Sequence, residues 1–377
     1  MLKYPGISKQ SVRDSFQKFL HPYKTVLKIP DKSVQKEKFT PVKETEQKTI
    51  VLSPKENSDR VGELRLNGVY KRFDRVLALN GVDLTIQPKK ISGIIGVSGS
   101  GKTTLLKTLI GFYRPTKGNV TYKNKELKTQ IKNIRRDFGF ATQDDSFYGK
   151  LTVEENLRYF GRLYGLSNKF LDNQINNLLN LVELEDARKS LSENLSTGMK
   201  RRLDIACALI NDPKVLILDE PTQDLDPALR REVLELIKKI NKNGTTVIFT
   251  THLLWEAEIL CDNVAILNEG RLLTVGSPDK IRKHYVKGDE IHLETHPGNY
   301  KKLLNGIRGI KVKKEDHKVV ISTPNAKSVL QKVLSKINKN KERLIDISIR
   351  KPHLEEVFEV IISKDVKKKT SKARKRK

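Results

Sequence analysis

The stretch that most constrains this chain is Gly96-Val97-Ser98-Gly99-Ser100-Gly101-Lys102-Thr103-Thr104, entered from the apolar run ISGII and followed by the helical pattern TTLLKTLI. Its glycines let the backbone curl tightly, so that successive N–H groups converge on one anion. A helix N-terminus beneath the loop adds favourable potential for negative charge. Strand, loop and helix in this order match the phosphate-cradling loop G-x-x-x-x-G-K-[ST] without a mismatch. Residues Gly96 to Thr104 are therefore expected to hold a nucleotide, with Lys102 reaching its terminal phosphates and the Thr103 hydroxyl ligating Mg²⁺.

Such a loop needs a sheet to carry it. The short apolar runs LRLNGV, VDLTI, ISGIIGV, KVLILD, TTVIFT and NVAIL read as strands, and helical patterns such as LRREVLELIKKIN lie between them. Several runs lack polar alternation, as in strands buried on both faces, so an α/β domain on a mainly parallel sheet is expected. One of these runs, Val215 to Leu218, ends in Asp219 and Glu220. Asp219 suits an indirect role on the magnesium ion, through water. Glu220 is placed to orient or deprotonate an attacking water.

Further elements follow in the order found in ATP-binding-cassette ATPases, which residues 63–285 resemble. Gln143 in FATQDD resembles the glutamine that touches Mg²⁺ and signals to a transport partner. Leu195-Ser196-Thr197-Gly198-Met199 resembles the family signature, Gln223-Asp224-Leu225-Asp226 the loop after the acidic pair, and His252 in FTTHLLWEAE the switch histidine. Phe73 in VYKRF matches the aromatic on which adenine stacks. The resemblance implies a P-loop core with antiparallel β and α-helical subdomains. It also implies a Mg²⁺-dependent ATPase in which Lys102, Glu220 and His252 are catalytic. Asp226 joins the nucleotide contacts, and Ser196 and Gly198 serve the nucleotide of the opposite subunit. Two subunits, identical or different, would then enclose two ATP molecules.

The chain departs from the common pattern at several points. Thr197 and Met199 stand where the signature has glycine and glutamine, Gln223-Asp224 replaces a small residue and glycine, and Lys90 stands where a glycine precedes the loop strand. The STGM form resembles drug, sodium and polysaccharide exporters of the ABC-2 group. So does the ending Arg350-Lys351-Pro352-His353-Leu354-Glu355-Glu356-Val357-Phe358.

Outside the cassette, strands IHLET, IKVKK, KVVIS and LIDISI with two helices mark a small α+β domain over residues 288–363. Residues 1–62 are expected to be a basic, mostly irregular extension, with one helical stripe of Val12, Phe16, Phe19, Leu20 and Tyr23 that packs on the protein's own core or on a partner or membrane surface. The last stretch, 364–377, holds nine basic residues against the single acid Asp365 and reads as a disordered tail.

The net charge of +28 admits nucleic acid or an anionic leaflet as a partner. Basic residues without interleaved aromatics, and a single phosphate loop, argue against nucleic acid. No apolar run reaches the ~20 residues of a membrane span. Two distant cysteines, Cys207 and Cys261, fit core packing in a reducing compartment. The expectation is a cytoplasmic ATPase subunit, peripheral on the inner face of the cell membrane, that drives the separate permease of an exporter. The alternative is a soluble cassette ATPase acting on nucleic acid or ribosomes.

Overall fold

The computed structural model describes residues 50–51, 63–286 and 288–374. The apolar stripe expected over 12–23 lies outside them. Strand β1 (Ile50–Val51) is followed by β2 (Leu64–Phe73), β3 (Val76–Ile86), β4 (Ile91–Ile95), helix α1 (Lys102–Leu109), β5 (Lys117–Tyr122), β6 (Lys125–Glu126), α2 (Leu127–Ile134) and β7 (Phe138–Ala141). Helices α3 (Val153–Leu163), α4 (Asn168–Leu181) and α5 (Thr197–Leu209) come next. The chain then runs through β8 (Val215–Leu218), α6 (Pro227–Lys242), β9 (Thr246–Thr251), α7 (Leu254–Leu260), β10 (Asn263–Asn268), β11 (Arg271–Gly276) and α8 (Pro278–Tyr285).

The principal sheet has the order β1-β11-β10-β4-β9-β8-β7. Every neighbouring pair in it is parallel except β10 with β11. Strands β4, β8 and β9 are buried at every position, which is why their sequences run apolar without alternation. A second, antiparallel sheet has the order β3-β2-β5-β6. Leu64, Leu79 and Val82 from this sheet share one core with Ile94, Ile217 and Ile248 of the first and with Leu105 of α1. Each such side chain contributes about 1.5–3 kcal/mol on burial, so the loop between β4 and α1 is anchored at both ends. Strand β1 falls inside the extension expected to be irregular. Its Ile50-Val51 pair adds to the edge of the principal sheet beside Thr274 and Val275.

Residues 145–213 form a compact helical unit of their own. Thr152 opens α3 with a capping box, its hydroxyl accepting from the Glu155 N–H while the Glu155 carboxylate accepts from the Thr152 N–H. Gly161 lets α3 and α4 approach closely, because a Cβ there would lie 2.1 Å from Leu171.

The C-terminal part holds β12 (Asp289–His296), α9 (Tyr300–Leu304), β13 (Lys311–Glu315), β14 (Lys318–Thr323), α10 (Ala326–Lys339), β15 (Arg343–Arg350) and α11 (Leu354–Arg374). Its sheet, β13-β14-β12-β15, encloses a separate small core with Val329, Val333 and Ile337 of α10. Helix α11 does not close that small core: Leu354, Val357 and Ile361 pack against Ile95, Ala257, Val264 and Ile266 of the cassette. Nor does the chain become irregular at residue 364, because α11 continues to Arg374. Its Asp365 is buried and accepts from the Asn268 amide at 3.2 Å. The buried, hydrogen-bonded Asp365 and the apolar stripe before it seat this part of α11 against the cassette.

Candidate functional site

The loop between β4 and α1 is shaped by close backbone contacts. A Cβ on Gly96 would lie 2.4 Å from the Leu267 carbonyl, and one on Gly101 would lie 2.7 Å from that of Ala78. Gly99 and Gly101 take the left-handed φ values of 75° and 104°, which side-chain-bearing residues disfavour. Gly270 braces the loop from outside, donating to the Ser100 carbonyl at 2.9 Å. Helix α1 opens at Gly101 without any side-chain cap. Its first N–H groups therefore remain as donors for an anion. The Ser100 hydroxyl is buried there without a hydrogen-bond partner among the described residues.

An open cleft of about 750 Å³ lies over this loop. Gly96, Val97, Ser98, Gly99, Gly101, Lys102, Thr103, Thr104, Gln143, Glu220 and His252 line it, together with Gln223 and Phe358, named in the sequence for their motifs only, and with Val76, Leu77, Ala78, Glu269 and Gly270, which the sequence reading left aside.

Inside the cleft the charged groups are cross-braced. The buried Lys102 ammonium donates to the Gly96 carbonyl at 3.0 Å and the Val97 carbonyl at 3.4 Å, and pairs with Glu220 Oε1 at 3.1 Å. The other carboxylate oxygen of Glu220 meets His252 Nδ1 at 2.9 Å. Burial pushes the Glu220 carboxyl up, but Lys102 and His252 together outweigh it and hold the group below its usual range. Glu220 also sits at φ 47°, a backbone region that costs a non-glycine residue on the order of 1–3 kcal/mol. Strain of this kind persists only where surrounding contacts impose it.

Thr250 supplies one of those contacts. Leu218 pairs in register with Phe249, which sets Asp219 and Thr250 side by side at the strand ends. The Thr250 hydroxyl donates to Asp219 Oδ1 at 2.6 Å and accepts from the Glu220 N–H at 2.9 Å. One buried hydroxyl thus fixes both acids. Thr251 does the same for the next turn. It donates to the fully buried Glu256 at 2.6 Å and accepts from the Leu253 N–H at 2.9 Å, which sets the loop that carries His252.

Thr103, Gln143 and Asp219 together offer hydroxyl, amide and carboxylate oxygens. That donor set suits a hard cation such as Mg²⁺; Asp219 is buried and is not one of the cleft's lining residues. Phe73 stands outside the lining residues. Its ring meets Tyr113 edge-on at 5.0 Å, and the Lys71 ammonium lies 4.8 Å over it. Asp226 caps α6, accepting from the Ala228 and Leu229 N–H groups at 2.9 and 3.0 Å, with Pro227 in the first turn. Two residues earlier, Asp224 has φ 59°. The left-handed turn therefore survives the replacement of glycine, in a residue type that tolerates it.

In the helical unit Ser196 caps α5, its hydroxyl accepting from the Met199 N–H at 3.3 Å. Thr197 is exposed at the first helical position and Gly198 is buried behind it. Further along α5 the buried Asp204 accepts from the Ser146 N–H at 3.1 Å and lies 3.5 Å from Arg201. Desolvation dominates over these contacts and pushes its carboxyl up to about 7. Both cysteines are free, and burial raises both thiols.

A family model described as "ABC transporter" matches residues 79–223. The chain is 37% identical over 243 residues to the Nod factor export ATP-binding protein I of Rhizobium sp. (strain N33), covering 64% of this chain and 79% of that protein. It is 29% identical over 301 residues to the linearmycin resistance ATP-binding protein LnrL of Bacillus subtilis (strain 168), covering 78% and 96%. Among solved structures, an ATP-binding subunit of an ABC transporter superposes with a TM-score of 0.54 at 30% identity, over 59% of this chain and 92% of that one. The dimeric cassette MJ0796 does so at 0.52 and 29%, over 57% and 98%.

Proposed function

The chain belongs to the ATP-binding-cassette transporter ATPases, and from that premise we propose that it powers an exporter, paired with a second ATPase subunit beneath a separate transmembrane permease on the inner face of the cell membrane. It is an ATP-binding, ATP-hydrolysing transport subunit akin to export ATPases. No helix among the described residues is long and apolar enough to cross a membrane. In this reading a separate permease supplies the membrane spans.

The observation that carries the reaction is the bracing of Glu220 between Lys102 and His252 in the cleft. While Lys102 is held at 3.1 Å, the Glu220 carboxylate is kept charged and is a weak base. Terminal phosphate oxygens compete for the Lys102 ammonium with greater negative charge, so Lys102 turns to them and releases Glu220. Relieved of that cation in a partly buried site, Glu220 gains basicity and takes the proton of the attacking water. His252 keeps its hold on the second oxygen and orients the carboxylate. Thr103, Gln143 and Asp219 would hold Mg²⁺, which would supply charge neutralisation at the phosphates. Ser196 and the N-terminus of α5 act on the nucleotide of the opposite subunit, and this is what makes pairing part of the reaction. The names of the relatives, Nod factor export and linearmycin resistance, support export as the work done.

Glu220→Gln tests the reading. ATP binding should stay intact, hydrolysis should fall by at least about 100-fold, and the protein should elute as an ATP-dependent dimer on size-exclusion chromatography. Turnover equal to wild type would reject Glu220 as the base.

A further inference from the structure

Gln143 and Gln223 lie 80 positions apart and meet in the cleft, the Gln143 amide nitrogen donating to Gln223 Oε1 at 2.8 Å. Both line the cleft alongside Lys102, Glu220 and His252. A glutamine amide has two unlike faces. Its oxygen is a hard donor that a divalent cation accepts, whereas its NH₂ group carries positive potential and repels one. A side chain free to rotate presents either face. We propose that Gln223 orients the Gln143 side chain so that Oε1, and not the amide nitrogen, faces the cation of the ATP site. The proposal rests on the reading of the cleft as a Mg²⁺–ATP site.

The geometry carries the assignment in three steps. The hydrogen bond at 2.8 Å engages the NH₂ face, which turns the oxygen of the same planar group the other way. Gln223 is itself held, because its N–H donates to the Glu220 carbonyl at 3.1 Å and closes the turn that begins at the base. The left-handed Asp224 that follows fixes where the turn leaves. Gln223 therefore links two functions. The backbone turn that sets Glu220 also sets the acceptor that aims the cation ligand. This gives the unusual Gln-Asp pair of the sequence a role within its own cleft. Gln223 is a positioning residue, acting through Gln143.

The test uses the full chain with Glu220→Gln, so that ATP is held and not consumed, and reads Mn²⁺ binding in the presence of ATP by electron paramagnetic resonance. Gln223→Met keeps the length of the side chain and removes the acceptor, separating packing from orientation. Mn²⁺ affinity should fall about tenfold, the range seen when a metal ligand loses its hydrogen-bond partner. In the chain with active Glu220, half-saturation by Mg²⁺ should rise by a similar factor. Repeating the substitution in a Gln143→Ala background should leave Mn²⁺ affinity unchanged, since there is no longer an amide to aim. Wild-type affinity in Gln223→Met, or a loss that persists without Gln143, would overturn the proposal while leaving the ATP site standing. Failure of the Glu220→Gln parent to bind Mn²⁺ with ATP would overturn the cleft reading and this proposal together.

Discussion

The nucleotide cleft and the signature turn at the start of α5 are built on opposite plans. In the cleft each chemical group is held by another chemical group: Lys102 by Glu220, Glu220 by His252, Asp219 by Thr250, Gln143 by Gln223. At the signature turn Ser196 caps its own helix through the Met199 N–H, its one side-chain bond among the described residues, and Thr197 beside it is exposed. The first region stores its geometry in side-chain pairs, and the second presents a helix N-terminus closed by its own cap. The contrast teaches that a residue's importance to the reaction cannot be read from how densely it is bonded within one chain. A capped helix end makes no braces because its proposed ligand belongs to another subunit's cleft.

The largest effect should come from breaking the brace at Lys102. Lys102→Ala removes the ammonium paired with Glu220 and the cation meant for the phosphates. Binding of a fluorescent ATP analogue should weaken by about 100-fold or more, the worth of a charge-assisted contact to phosphate at a buried site. Unchanged affinity would mean that the phosphate loop is misassigned at its central residue.

Thr250→Val should act next. It is nearly isosteric but leaves Asp219 Oδ1 and the Glu220 N–H without their shared partner. Urea unfolding should show a loss of about 1–3 kcal/mol, accompanied by slower hydrolysis, and Thr250→Ser should restore both. If Val behaves like Thr, the two acids are fixed by something other than that hydroxyl.

A smaller effect belongs to the signature helix. Asp204 has its carboxyl raised to about 7 in the folded chain, against about 3.9 when unfolded. The folded state thus binds the extra proton between those values, so stability is fully present below about 4 and declines as pH rises towards 7. Asp204→Asn should flatten this stretch of the stability–pH curve while leaving nucleotide binding in the cleft as it was. Glu220 has the reverse sign: its depressed carboxyl contributes stability above the unfolded value that is lost only as pH falls into acid.

Much of this was legible in the residues. Glycine spacing before Lys102, the apolar strand ending in Asp219-Glu220, and the alternation of strand and helix all express local rules of backbone geometry and burial. Partnerships across the fold were not legible. That Thr250 meets Asp219 depends on the register of β8 on β9, and that Gln223 meets Gln143 depends on two loops converging. Neither is encoded in a spacing along the chain. A threonine two residues ahead of His252, on the strand neighbouring the acids, was the one available signal. Helix α11 shows the same limit: its stripe of Leu354, Val357 and Ile361 is visible at once, but a stripe does not name the surface it covers, and here that surface is the cassette and not the adjacent small sheet.

The central claim is that the braced cleft and the signature helix end act on one ATP from two different subunits, and mixing two broken chains tests it most directly. One chain carries Lys102→Ala, which disables the cleft, and the other carries Gly198→Glu, which blocks the signature turn. Each alone should be inactive. A mixed dimer would pair the intact cleft of one chain with the intact signature of the other, and random pairing of a two-fold dimer should restore about a quarter of the wild-type sites. Recovery of ATPase activity on mixing is the result predicted. Two inactive chains that stay inactive together, while still forming mixed dimers, would contradict it.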